Sequence, residues 1–126
     1  QEGRLITAQR REIWDFYHKT FQDLESTKKI KRPTVPESIF HNGHIYYILL
    51  SSNSKRDEFI ESMKSKGVHC VFHYSPLHSS KIGKQLGRIS GDLSITDDIS
   101  SRLVRLPIWL GIDQIKVSQC VRDSLT

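Results

Sequence analysis

HIYYILL, residues 44–50, decides the fold. β-Branched and aromatic side chains crowd this run, and it is apolar at odd and even positions alike. It therefore reads as a strand covered on both faces and central in its sheet. Downstream, residues 54–66 read as a helix with Phe59, Ile60 and Met63 on one face. Ser54 is its expected N-cap, Asp57 stands near the capping-box position, and Gly67 is its expected stop. Residues 68–73 form a second strand, with Cys70 and Phe72 on one side and His69, Val71 and His73 on the other. Residues 74–93 have no period and hold Pro76, Gly83, Gly87 and Gly91. They read as a long loop with one short helix, of the kind that carries function. Thr96 is the expected cap of a helix through Arg102, with Asp97 and Asp98 suited to its positive end. Residues 104–108 are a short third strand. Residues 113–125 close the chain as an amphipathic helix through Val117, Val121 and Leu125.

Upstream of the deciding strand, residues 26–43 read as an extended connector. Lys28, Lys29, Lys31 and Arg32 cluster there just before Pro33 and Pro36, and proline blocks a helix. Residues 4–25 read as a helix, because Leu5, Ile13, Phe16, Tyr17 and Phe21 recur at helical spacing and Trp14 widens the stripe. The whole order defines an α+β class, a small, mostly antiparallel sheet covered by helices.

The chain has 126 residues, enough for one domain with one core. Its 37% hydrophobic and 26% charged residues exclude a disordered chain. No apolar run approaches the roughly 20 residues of a membrane span, and no secretory leader pattern is present. Cys70 and Cys120 form no CxxC and read as buried thiols, which fits a reducing cytoplasm. The net charge of +5 favours acidic partners, although a solvated basic surface explains it equally well. Gln1 in place of an initiating Met points to a trimmed piece; tag removal or processing gives the same start.

The six histidines are the first candidates for chemistry. His69 and His73 are four apart, but on a strand that spacing is about 13 Å, too far to share a metal. No acidic or cysteine partner completes a set, so no metal site is expected. Ser75, Ser79 and Ser80 lie near His73 and His78 without a GxSxG elbow. Gly83, Gly87 and Gly91 make neither a P-loop nor a Rossmann turn. The basic run Lys28–Arg32 is the best case for nucleic acid, but it lacks aromatic readers beside the charge. The distinctive segment is His73-Tyr-Ser-Pro-Leu-His78-Ser79. It places two histidines and a tyrosine around a proline-stiffened turn, either as ligand contacts or as backbone caps.

The series His44-Ile-Tyr-Tyr-Ile-Leu, Arg56-Asp-Glu-Phe-Ile, Gly67-Val, His73-Tyr-Ser-Pro-Leu-His and Ser101-Arg-Leu-Val-Arg-Leu-Pro resembles the C-terminal part of the DegT/DnrJ/StrS aminotransferases. The likeness covers nearly the whole chain and leans toward enzymes that aminate C4 of dTDP-4-keto-6-deoxyglucose. Arg10-Arg11-x-x-Trp14-x-x-Tyr17 resembles the helix leading out of their large domain. The resemblance implies the small domain of a fold-type-I, pyridoxal phosphate (PLP) dependent enzyme, usually a homodimer, that moves an amino group from glutamate to a nucleotide-linked keto sugar. It divides the chain into a leading helix at 1–25 from a missing large domain, a basic connector at 26–43, and the small domain at 44–126.

It also implies cytoplasmic work in polysaccharide or lipopolysaccharide synthesis. His73, Tyr74 and His78 become substrate-side contacts, with Pro76 structural and Arg105 mainly structural. The family's cofactor lysine and phosphate-binding motifs lie upstream and have no counterpart here. No catalytic or cofactor-binding residue is therefore expected in this chain, no PLP is expected bound to it, and alone it should lack the electron sink of transamination. The exposed apolar face of the first helix is expected to favour self-association. The rivals are a stand-alone basic binding module and a degenerate scaffold domain.

Overall fold

The computed structural model describes residues 2–126. Gln1, the first residue of the expected leading helix, lies outside the described residues. Six helices and three strands follow in the order α1 Glu2–Thr20, α2 Gln22–Ser26, β1 Tyr46–Leu49, α3 Asn53–Ser65, β2 Val71–Phe72, α4 Lys81–Leu86, α5 Ser94–Arg102, β3 Leu103–Leu106 and α6 Gln114–Asp123. The sheet is antiparallel throughout, in the order β1-β3-β2. The α+β class expected from the sequence is the one observed.

The core lies on one side of this sheet. Tyr46 and Ile48 of β1, with Val104 and Leu106 of β3, are buried there against Tyr17 and Phe21, Phe59 and Met63 of α3, and Val117 and Val121 of α6. These are the periodic apolar positions of each helix. The first helix is stitched in by hydrogen bonds as well as apolar burial. The Tyr17 hydroxyl donates to the carbonyl of Pro107 at 3.0 Å, and Trp14 Nε1 donates to that of Ile45 at 3.1 Å. Only the start of its apolar stripe is open: Leu5 is 65% and Ile6 38% exposed. The expected connector at 26–43 is extended only in part: Ser26 closes α2, and residues 27–28 and 37–38 turn. Ile30 is buried, and Lys31 exchanges two backbone hydrogen bonds with Leu49 at 2.9 and 3.0 Å.

Several local expectations are corrected. β1 is not central: β3 inserts between β1 and β2, so β1 is an edge strand covered on one face, its outer edge blunted by Lys31. Ser52, not Ser54, caps α3, and its hydroxyl accepts from Lys55 N. α5 begins before Thr96; Asp92 instead accepts from Ser94 N at 2.9 Å. β3 starts and ends earlier than expected, at Leu103–Leu106. Cys70 is buried, but Phe72, on the same side by alternation, is half exposed beneath the Arg56 guanidinium. Gly67 does end α3, with φ of +77°, a conformation that favours glycine.

Candidate functional site

The candidate residues of the loop after β2 lie by the second face of the sheet. Tyr47 and Leu49 of β1, Leu103 and Arg105 of β3, and Val71 of β2 point there and are all half exposed. No described helix contributes to a core on that side. The segment after β2 borders this open face. His73 lines an apolar pocket of about 250 Å³ with Ile45, Tyr47 and Leu103. The chain then turns sharply, with Tyr74 at φ +39°, a strained value for a non-glycine residue. The tyrosine ring is 73% exposed and stands edge-on to His73, their centroids 5.7 Å apart.

His78 is placed differently. It lies in a one-turn 3-10 helix, Leu77–Ser79, and its Nε2 is 3.0 Å from Asp97 Oδ1. The same oxygen accepts from the Ser79 hydroxyl. These two bonds, Ser79 first, hold the Asp97 carboxyl below the usual carboxylate range. His78 thus spends one ring nitrogen on α5, and its side chain is 17% exposed. The structure brings His73 and Tyr74 together and ties His78 to α5. Sequence reasoning named the histidine but missed its partner, which lies 19 residues downstream with no local signal. The following helix α4 is capped by the Ser80 hydroxyl accepting from Gly83 N. Gly83 itself is required: a Cβ there would sit 1.7 Å from the carbonyl of Leu77.

Neither cysteine adds chemistry. Both are buried and free, and burial pushes the Cys70 thiol up to about 12, so it stays protonated. Among the described residues no group of histidine, cysteine and carboxylate side chains is placed to hold a metal, and no helix is long and apolar enough to cross a membrane. The lysines do not fit a PLP site. All are exposed except Lys66, which is half exposed and donates to Ser62 Oγ at 2.6 Å. None is enclosed beside an acid and an aromatic ring, as an internal aldehyde-binding lysine would need to be.

A three-stranded antiparallel sheet, with helices on one face and a polar loop bordering the other, places the chain in a class of small α+β domains. The DesV structure from S. venezuelae superposes with a TM-score of 0.84 at 18% identity, covering 97% of this chain and 32% of that one. The sequence then assigns the chain within the class: it belongs to the DegT/DnrJ/EryC1/StrS aminotransferase family, whose profile matches residues 4–124. A dTDP-3-amino-3,4,6-trideoxy-alpha-D-glucose transaminase of Micromonospora megalomicea subsp. nigra is 26% identical over 98% of the chain. A dTDP-4-dehydro-2,3,6-trideoxy-D-glucose 4-aminotransferase of Saccharopolyspora spinosa is 26% identical over 86% of it. The chain spans 32% and 26% of the lengths of these two relatives.

Proposed function

We propose that the chain serves as the C-terminal small domain of a PLP-dependent aminotransferase that moves the amino group of glutamate onto a dTDP-4-keto-6-deoxy sugar. The work would be cytoplasmic and would feed polysaccharide or lipopolysaccharide synthesis. The observation that carries this reading is the family match across residues 4–124, on a domain that spans about a third of its relatives. The cofactor and its lysine would come from a large domain joined ahead of residues 1–25, and the complete protein would pair as a homodimer. Alone, the chain would not transaminate.

Within that enzyme His73 and Tyr74 are the substrate-side contacts. They stand exposed at the open sheet face, where a strained turn fixes the tyrosine. His78 contributes through the loop it holds and through the ring nitrogen that Asp97 does not use. In the complete enzyme, His73→Ala should raise KM for the sugar nucleotide by about three- to tenfold, the value of one or two polar contacts. Unchanged KM and kcat would remove His73 from the site.

A second reading has one observation behind it. A surface cavity of about 540 Å³ is lined by Lys28, Lys29, Lys31, Arg32 and Arg102, with Glu25 the one carboxylate. A nucleic-acid module would use this cavity, and its binding would weaken steeply with salt. Absence of binding to DNA and RNA at low salt rejects it.

A further inference from the structure

Arg105 occupies the middle of the central strand, between Tyr47 of β1 and Val71 of β2. Its side chain is on the open face. Arg32, Arg56, Arg102 and Arg122 each meet a carboxylate, at 2.5–2.8 Å, while Arg10, Arg11 and Arg88 meet none among the described residues. Arg105 meets none among the described residues. It lines a cavity of about 220 Å³ together with His44, His69, Val71 and Trp109, and no Asp or Glu contributes to that lining. His44 is oriented by its neighbour, Nδ1 lying 2.5 Å from Asn42 Oδ1. Trp109, 52% exposed, supplies a flat apolar wall.

The geometry points to a binding site for an oxyanion, a phosphate or carboxylate group carried on a small molecule, at the cavity beside Arg105. The guanidinium is charged at every accessible pH and offers parallel N–H donors that match two oxygens of such a group. No carboxylate of the lining competes for it. Ile45 lines both this cavity and the His73 pocket. A ligand held by its anion at Arg105 would therefore extend its other end toward His73 and Tyr47. The site rests on this cavity alone and holds whether or not the chain works in amino transfer.

The test is an NMR titration of the 126-residue chain with inorganic phosphate, glutamate and dTDP in turn, with chloride at matched ionic strength as the control. The expected result is a shift of resonances confined to residues 44–45, 69–71 and 105–109, saturating with a Kd of about 1–10 mM. Arg105→Gln should weaken it at least tenfold, about one order in Kd. Arg105→Lys keeps the charge and loses the fork, so it should fall between; it also serves if the glutamine variant does not fold. Tighter binding of phosphate and dTDP assigns a phosphate group, and tighter binding of glutamate assigns a carboxylate. No saturable shift, shifts centred instead on residues 28–32, or binding indifferent to both Arg105 variants would overturn the site.

Discussion

Asp97 binds the loop after β2 with a single oxygen, which takes both the His78 ring and the Ser79 hydroxyl. Beyond these bonds and the Ser80 cap, the segment has little to hold it: Leu77, Ile82 and Leu86 are 81%, 60% and 81% exposed. Asp97→Asn should therefore speed amide exchange across residues 77–86 while leaving β3 protected. Equal exchange in both proteins would show that the loop is held by other means. His18 makes a second residue-scale prediction. Its ring stacks on Trp14 at 4.7 Å, and its Nδ1 is buried without a partner. Burial first, then the nearby Arg32, lowers its pKa from 6.5. Below that value the unfolded chain takes a proton that the folded chain resists, so stability present above pH 6.5 is lost as pH falls further. Thermal unfolding from pH 7 downward should show this slope, and His18→Gln should flatten it. An identical slope in the variant would contradict the assignment. Neither partner was legible in the sequence, because Asp97 and Arg32 reach these histidines through tertiary contacts.

At the scale of elements, the turn before β1 fixes how the first helix meets the sheet. Gly43 has φ of +64°, and a Cβ there would approach the Arg11 backbone to 3.0 Å. Gly43→Ala should cost about 1–3 kcal/mol, since left-handed backbone and crowding act together. Urea unfolding measures it, and a loss well under that range would mean that the turn and α1 can move apart. The elements themselves were largely readable. Helical periodicity located α1, α3 and α6, because each buries a stripe of its own sequence. Sheet order was not readable, since apolar residues on both faces of HIYYILL look central whether or not a third strand pairs outside. Tyr47 and Leu49 face outward on an edge strand, and that open face accounts for their apolarity. The cap of α3 was misassigned for a local reason: Ser51, Ser52 and Ser54 cluster at its start, and only backbone conformation selects Ser52, at φ −154°.

At the scale of the molecule, one face of the sheet holds the core and the other is open, half apolar and bordered by His73, His69, His44 and Arg105. The family could be read from motifs in order, as residues 4–124 bear out. The open face could not, because it depends on which strands pair and which side the helices take. The domain is proposed to complete the substrate side of a sugar-nucleotide aminotransferase. The most direct measurement is amino transfer from glutamate to dTDP-4-keto-6-deoxyglucose by the product of the complete reading frame, with and without residues 1–126. Turnover should be lost when these residues are removed and reduced by His73→Ala. Undiminished turnover without them, or a reading frame that opens at Gln1 and yields no such activity, would contradict it.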